Sequence, residues 1–178
     1  MTTSYIGIDP GSRGAIAIIE DEDNVDVFDL SKDYSDYLSW VNNMEDLFEP
    51  GDRHYAAVED VCGRPGQSCQ ANTTFMKLAG MAELMAYGIG RDGFIKVKPQ
   101  VWKKHFGLIF PKTMSKTEKK HKSIELAKEL FPAVADQLTA SKDGRAEALL
   151  IARYLKDVQE NARVNEESKS DCRETVED

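Results

Sequence analysis

The chain has 178 residues, a mass of 19.9 kDa and a formal net charge of −8. Hydrophobic residues make up 41% and charged residues 30% of the sequence, which is typical of one folded, water-soluble domain. No apolar segment approaches the ~20 residues of a membrane helix, so a membrane partner is not expected. Three cysteines without a Cys-x-x-Cys pair, Cys62, Cys69 and Cys172, argue against disulfides or a zinc site and favour the cytoplasm.

The first third of the chain predicts an antiparallel meander followed by a helix. Short, β-branched apolar segments separated by turn residues indicate strands at Tyr5–Asp9, Gly14–Glu20 and Val25–Leu30. Apolar side chains at helical spacing indicate a helix over Tyr34–Phe48, which ends before Pro50.

The rest of the chain alternates strands and helices before it turns acidic. Strands are predicted at Tyr55–Val61 and Phe94–Val97, and helices at Ala71–Ile89, after Pro99, from Ser115 to Phe131, and at Leu138–Tyr154. From about Asn161 the sequence is polar, acidic and aperiodic, which predicts a disordered tail. We therefore expect a folded domain over residues 1–160 and an acidic tail over residues 161–178.

This order of elements predicts an α/β fold built on a mixed five-stranded sheet. An antiparallel meander joined by helical crossovers to parallel strands places helices on both faces of the sheet. Open sheets of this kind bind ligands at the carboxyl ends of their parallel strands. The first candidates for chemistry are therefore the residues at the ends of the first and fourth predicted strands.

Two carboxylates occupy those positions. Asp9 ends the first strand in Gly7-Ile-Asp-Pro-Gly-Ser12, and Glu59 lies near the end of the otherwise apolar fourth strand. A glutamate inside an apolar strand is unfavourable unless it meets a cation or a hydrogen-bond donor. Each residue also has a simpler interpretation, because Asp-Pro-Gly is common turn chemistry and Glu59 would suit the exposed face of an edge strand.

A second pair of carboxylates lies in the last predicted helix. Asp143 and Glu147 are four residues apart, so both project from one helical face, and the residues that follow are small and apolar. A local salt bridge to Arg145 is the simpler interpretation. If all four carboxylates converge at one end of the sheet, their repulsion favours divalent cations, and oxygen-only ligands prefer Mg²⁺ or Mn²⁺. Two such ions about 3.5–4 Å apart support phosphoryl displacement.

The net charge hides an uneven distribution. Residues 20–60 carry fourteen acidic and two basic side chains, whereas residues 91–122 carry ten Lys or Arg and two acids. The local field, not the net charge, governs contact with a polyanion, so this basic stretch predicts phosphate binding. The alternative is a solvated charged face. The predicted DNA-binding residues are Lys98, Lys103, Lys104, Lys116 and Lys119, together with Arg64 in the Gly/Pro loop after Glu59.

Aromatic residues inside the basic stretch have a structural interpretation. Trp102 and Phe106 lie at helical spacing, and this pattern is more typical of core residues than of residues that stack on bases. The Gly/Pro loop likewise has two interpretations. It is either a substrate contact, through Arg64 and Gln67, or an ordinary strand-to-helix connection.

The order and spacing of these motifs resemble the RuvC family of Holliday-junction resolvases, which are ribonuclease-H-like nucleases. The resemblance covers roughly residues 4–156 and depends on Gly7–Ser12, Val58–Glu59, Val97–Lys104, Ser115–Lys122 and Gly144–Ala152. The segments that begin at Gly14 and at Asp143 are more similar to the viral and phage branch than to the cellular one. The resemblance implies a ribonuclease-H-like fold, and in that branch a protein that acts in the host cell.

The resemblance also implies an activity, a cofactor and partners. It implies a homodimer that nicks two opposed strands of a four-way DNA junction with two Mg²⁺ ions, which Mn²⁺ can replace. Asp9, Glu59 and Glu147 match the family's metal-binding carboxylates, and Asp143 matches with a spacing of four rather than three. Cellular members carry Phe three residues after the strand glutamate. This chain has Cys62 there, which indicates a broader range of branched-DNA substrates.

Three other functions are compatible with parts of the pattern. The same fold and carboxylates serve ribonuclease-H-like enzymes that act on RNA or RNA–DNA hybrids. A structure-specific DNA-binding protein without cleavage is a second alternative, and the complete set of carboxylates argues against it. A sugar-kinase or actin-like ATPase shares phosphate-binding chemistry at the first strand, but it needs two such domains and 178 residues do not hold them.

Overall fold

The computed structural model describes the backbone of residues 2–21, 23–47, 51–63 and 65–174. Side chains are described in the same ranges, apart from residues 34, 44–47 and 165–174. The five strands are β1 (Thr3–Asp9), β2 (Ala15–Ile19), β3 (Val25–Asp29), β4 (Arg53–Glu59) and β5 (Gly93–Val97). The α-helices are α1 (Tyr34–Leu47), α2 (Cys69–Ile89), α3 (Pro99–His105), α4 (Lys116–Leu130) and α5 (Asp143–Glu174).

The strands form one mixed sheet in the order β3-β2-β1-β4-β5. The meander β1-β2-β3 is antiparallel, whereas β4 pairs in parallel with both β1 and β5. The predicted fold class, a mixed five-stranded sheet with helices on both faces, is confirmed.

Alternation along β1 divides the core between the two faces of the sheet. Ile6 and Ile8 are fully buried in a cluster with Met85 and other apolar residues of α1 and α2. Tyr5 points the other way, into a larger cluster to which α3, α4 and α5 contribute. The Asp9 side chain therefore lies on the α5 face of the sheet. Residues 5 and 9 are four positions apart in the strand, and residues separated by an even number share a face.

Helix α5 lies unusually close to β1 because Gly7 has no side chain. A Cβ atom at Gly7 would lie 2.2 Å from the carbonyl oxygen of Ala148 and 2.3 Å from the amide nitrogen of Ala152. Every side chain other than hydrogen would push the helix away from the sheet. Gly7 thus sets how near the residues of α5 approach the end of β1.

The last helix differs from its prediction at both ends. Leu138 is fully buried, but it lies between two 3₁₀ helices, Pro132–Gln137 and Ala140–Lys142, so α5 begins only at Asp143. The apolar pattern that predicted a helix from Leu138 arises because residues of these 3₁₀ turns are buried, and one continuous helix is not its cause. At its other end α5 extends to Glu174, within the segment expected to be a disordered tail. The Arg163 guanidinium lies 5.8 Å from the centre of the Tyr55 ring.

The remaining boundaries agree with the predicted elements to within a few residues. The capping box before α4 is present, since Ser115 Oγ accepts from the Glu118 amide and the Glu118 carboxylate accepts from the Ser115 amide. Among the described residues no helix is both long and apolar enough to cross a membrane. The division between a domain and a tail at residue 160 stays a prediction.

Candidate active site

Asp9 and Glu59 lie side by side because their strands are adjacent and parallel. Gly7 of β1 pairs with Ala57 of β4, and Ile8 pairs with Val58, so both strands end at the same edge of the sheet. Glu59 is only 8% exposed, and β4 is an inner strand of the sheet. The edge-strand interpretation of Glu59 is therefore wrong, and the carboxylate lies in the interior at the end of the sheet.

Helix α5 adds a third carboxylate to this edge. Gly144, in its first turn, lies against the turn after β1, where a Cβ atom would be 2.1 Å from the carbonyl oxygen of Arg13. This close approach brings Glu147, one turn further along, to the two strand ends. One carboxylate oxygen from each of Asp9, Glu59 and Glu147 lies within 4.8 Å of the others. Three elements far apart in sequence thus build one cluster of negative charge.

The cluster disfavours the ionised form of Asp9. Burial raises the pKa of Asp9 well above 3.8, and the charges of Glu147 and Glu59 raise it further. The Lys103 ammonium acts in the opposite direction, but it does not outweigh them. An apoprotein at neutral pH therefore carries an electrostatic conflict at the end of β1.

Asp143 lines the same cavity but has cationic partners of its own. Its Oδ2 accepts a hydrogen bond from Lys120 Nζ, and its Oδ1 lies 3.7 Å from Arg13 Nη1. Oδ1 is buried and accepts no hydrogen bond from the described residues. The structure thus brings Asp143 to the site, yet outside the group of three carboxylates.

The interpretation of these acids as partners of Arg145 is wrong. Arg145 turns away from Asp143 and Glu147 and pairs with Asp29 at the end of β3, through Nε at 2.6 Å and Nη2 at 2.9 Å. Asp143 and Glu147 consequently line the cavity, where Lys120 contacts Asp143 and Lys103 contacts Glu147.

The short helix α3 supplies two contacts to the carboxylates. Lys103 Nζ donates to Glu147 Oε1 at 3.2 Å and lies 4.7 Å from the centre of the Trp102 ring. Trp102, which is fully buried, donates from Nε1 to Glu59 Oε1 at 2.9 Å. Trp102 is a core residue as predicted, and it also orients a carboxylate.

Three of these contacts were missed by the sequence reasoning. Trp102 was expected only in the core, Arg13 was assigned no role, and Lys120 was counted in the basic stretch but not among the substrate-binding residues. A signal existed for Arg13, which directly follows the Asp-Pro-Gly-Ser motif. For Trp102, no sequence pattern shows that an indole nitrogen will meet a particular carboxylate.

Among the described residues, no hydrogen bond or ion pair joins Lys98, Lys104, Lys116 or Lys119 to the carboxylates. Lys98, Lys104 and Lys116 are exposed, and Lys119 is half-buried. Arg64 lies outside the described residues. Among the described members of the predicted set, Lys103 is the residue that lies in the carboxylate site.

The carboxylate cavity has a volume of about 270 Å³ and a mixed lining. Its charged lining residues are Asp9, Arg13, Glu59, Lys103, Lys120, Asp143 and Glu147. Clustered carboxylate oxygens, the raised pKa of Asp9 and a buried Asp143 oxygen with no hydrogen-bond donor among the described residues all fit a hard divalent cation. The described residues therefore include a cluster of three carboxylates that could hold a metal ion.

Comparisons with solved structures give distant similarities. No protein-family model matches the sequence, and no curated protein matches it significantly. Among solved structures, the Thermus thermophilus RuvC structure aligns with 16% sequence identity over 85% of this chain and 91% of that chain, at a TM-score of 0.47. A similarity this distant does not transfer an activity. The function has to be inferred from the site and from the sequence motifs.

Proposed function

We propose that this protein is a metal-dependent endonuclease that resolves Holliday junctions or related branched DNA. The observation that carries the proposal is the meeting of Asp9, Glu59 and Glu147 within 4.8 Å at the end of a mixed sheet. Such a cluster is costly without a cation, and the motifs that supply it resemble those of the RuvC resolvases. The resemblance to the viral and phage branch remains part of the proposal.

The carboxylates would hold the metal, with Mg²⁺ as the resident ion and Mn²⁺ as a substitute. Asp9, Glu59 and Glu147 are the proposed ligands, and Asp143 is proposed as a ligand of the second of two ions. Bound divalent cations supply activation of a water nucleophile and stabilisation of charge on the departing oxygen. Carboxylates with no bound proton are required for this role.

The protein's own side chains would hold and orient the substrate. Lys103 is proposed to contact a non-bridging phosphate oxygen, and its ion pair with Glu147 supports this role. Trp102 fixes the Glu59 carboxylate through a hydrogen bond, so that this group keeps its orientation when substrate enters. Lysines are point-charge partners of phosphate and carry no base information.

The remaining cations would extend the contact along the DNA. Lys98, Lys104, Lys116 and Lys119 are the proposed backbone-binding residues, and Arg64 is proposed to contact DNA from the loop after β4. A homodimer matches the two-fold symmetry of a four-way junction and places one site on each of two strands. Residues 161–178 are proposed to face away from the DNA because of their negative charge.

A nicking assay tests the proposal directly. Synthetic four-way junctions, forks, flaps, linear duplexes and RNA–DNA hybrids are incubated with the protein and Mg²⁺. We expect nicks in the branched DNAs that disappear with EDTA and in the Glu59→Gln variant, while binding of the junction persists. Glu125→Gln provides a matched control, because Glu125 is a surface residue that pairs with Lys122 on α4.

Other outcomes assign a different function. Cleavage of the hybrid alone would identify a ribonuclease-H-like enzyme that acts on RNA. Junction binding without nicks under any divalent ion would identify a DNA-binding protein. Unchanged nicking by Glu59→Gln would show that the carboxylate cluster is not the active site.

A further inference from the structure

The outermost strand of the meander ends on a carboxylate at the same edge of the sheet as the candidate active site. Asp29 ends β3 and pairs with Ala15 of β2, which in turn pairs with Asp9 of β1. Residues directly opposite each other in antiparallel strands share a face of the sheet, so Asp29 lies on the α5 face, as Asp9 does. Because neighbouring strands are about 4.8 Å apart, the backbones of the two residues are separated by roughly 10 Å.

Asp29 forms a bidentate ion pair with the first turn of α5. Arg145 donates from Nε to Asp29 Oδ1 at 2.6 Å and from Nη2 to Asp29 Oδ2 at 2.9 Å. Two parallel hydrogen bonds fix both the distance and the direction of a guanidinium, and the Arg145 side chain is only 14% exposed. The hydrogen bonds from Arg145 lower the pKa of Asp29 below 3.8, so both partners are charged at neutral pH.

A second cation near the start of α5 contacts the same carboxylate. Lys142 Nζ lies 2.9 Å from Asp29 Oδ2, and both side chains are 46% exposed. Solvent weakens an ion pair at such exposure, so the contact with Arg145 is the stronger of the two. Lys142 and Arg145 lie on either side of Asp143 in the sequence. The segment that contains Asp143 is thus attached to the end of β3 at two points.

The ion pair and the carboxylates of the candidate metal site project from opposite sides of α5. Successive residues of an α-helix differ by 100° in direction, so Arg145 points about 160° away from Asp143 and from Glu147. Asp143 and Glu147 line the cavity, whereas Arg145 reaches the edge strand. A rotation of the helix that breaks the contact with Asp29 therefore also moves both carboxylates.

The carboxylate cluster does not hold α5 in place before a cation binds. One oxygen each of Asp9, Glu59 and Glu147 lies within 4.8 Å of the others, and like charges at this distance repel. The contacts that fix the first turn of α5 in the metal-free protein consequently lie outside the cluster. The ion pair between Asp29 and Arg145 is one of them, and it acts on the turn that carries Asp143.

We propose that Asp29 is a positioning residue, which acts through Arg145 to hold Asp143 and Glu147 at the metal site. In this role Asp29 contacts neither the metal nor the DNA. The inference rests on the proposed nuclease function, and it adds that an edge strand two strands away from Asp9 controls the geometry of the site.

Calorimetric titration with Mn²⁺ tests the positioning role without cleavage. The full-length wild type and Asp29→Asn are titrated at a temperature where circular dichroism shows both proteins fully folded. We expect the variant to bind Mn²⁺ about 10-fold more weakly. Asp26→Asn is the matched control, because Asp26 is an exposed acid on the same strand, and its affinity should equal that of the wild type. Equal affinity in Asp29→Asn and Asp26→Asn would overturn the proposal.

A double-mutant cycle tests whether Asp29 acts through Arg145. Asp29→Asn, Arg145→Gln and the double variant are compared for Mn²⁺ affinity. We expect the double variant to lose no more affinity than either single variant, because each change removes the same contact. Losses that multiply in the double variant would show independent effects and contradict the proposal. Arg145→Lys keeps the charge but not the bidentate contact, so it provides the same test if Asp29→Asn does not fold.

The kinetics of junction nicking in Mg²⁺ separate this inference from the proposed function. We expect kcat of Asp29→Asn to fall by about 10- to 100-fold with KM unchanged, because misplaced reacting groups slow the reaction without weakening DNA binding. Equal kcat in the wild type and Asp29→Asn would overturn this inference alone. A wild type that binds Mn²⁺ in an Asp29-dependent manner but nicks no DNA would overturn the nuclease function and support the positioning role.

Discussion

Trp102 Nε1 donates a hydrogen bond to Glu59 Oε1 at 2.9 Å, which joins two residues 43 positions apart in the chain. The indole belongs to α3 and is fully buried, and the carboxylate ends β4. Partners of this kind fix the orientation of a ligating carboxylate, and their loss commonly reduces metal affinity or activity by about 10- to 100-fold. The contact makes the core beneath α3 part of the candidate active site.

Replacement of Trp102 by Phe should therefore weaken the site more than the fold. We expect metal affinity and junction nicking to fall by about 10- to 100-fold at a temperature where the variant is fully folded. Isothermal calorimetry with Mn²⁺ and the nicking assay provide the readouts. Trp40→Phe is the control, because Trp40 packs against Phe28 on the opposite face of the sheet. Equal metal affinity in the two variants would contradict a positioning role.

Replacement of Asp9 by Asn should stabilise the metal-free protein at neutral pH. Burial and two neighbouring carboxylates raise the pKa of Asp9 in the folded state above 3.8. The stability that protonated Asp9 contributes is thus fully present below about pH 3.8 and is lost as the pH rises through the raised pKa. An Asn side chain does not ionise, so the variant does not lose stability as the pH rises. At pH 7 we expect its free energy of unfolding to exceed that of the wild type by about 0.5–2 kcal/mol.

Urea denaturation in EDTA between pH 4 and pH 8 measures this difference. Mg²⁺ should stabilise the wild type more than the variant, because the wild-type cluster offers the cation three carboxylates and the variant offers two. Asp26→Asn, an exposed position on β3, should change little at any pH. An Asp9→Asn variant less stable than the wild type throughout would show that the carboxylate is compensated by other contacts.

Removal of the Lys103 ammonium should have opposite effects on metal binding and on cleavage. Lys103 neutralises part of the carboxylate cluster and bonds to Glu147 Oε1. In Lys103→Met we expect Mn²⁺ to bind roughly two- to five-fold more tightly at pH 8 without DNA, because a competing cation is gone. Nicking should nevertheless slow, because the phosphate loses its ammonium partner. Lys104→Met, at an exposed neighbouring position, should leave metal affinity unchanged. Weaker Mn²⁺ binding in Lys103→Met would contradict this account.

A methyl group at Gly7 should displace α5 and with it Glu147. The new Cβ would overlap the carbonyl oxygen of Ala148, so Gly7→Ala should cost about 1–3 kcal/mol or more and abolish nicking. Gly80→Ala is the matched control, since Gly80 is an exposed residue within α2 and its Cβ would meet nothing within 4 Å. That change should add up to about 1 kcal/mol of stability. Denaturation curves of the two variants that coincide would disprove the tight approach of α5 to β1.

The sequence by itself determined much of this protein, because its signals were local. β-Branched segments and turn residues predicted the three-stranded meander, and the Ser115–Glu118 capping box predicted the start of α4. Motif spacing singled out Asp9, Glu59, Asp143 and Glu147. The two ends of α5 could not be predicted from the sequence. Buried residues in 3₁₀ turns have the same spacing as those of a helix, and the polar end of a helix has no apolar periodicity.

Tertiary structure alone decided which charges meet. The pairing of Lys103 with Glu147 and of Lys120 with Asp143 depends on how α3 and α4 lie against α5. The diversion of Arg145 to Asp29 depends on the packing of α5 across the sheet. Pairing energies of this kind are set by distances and burial among elements remote in sequence, and no local propensity encodes them.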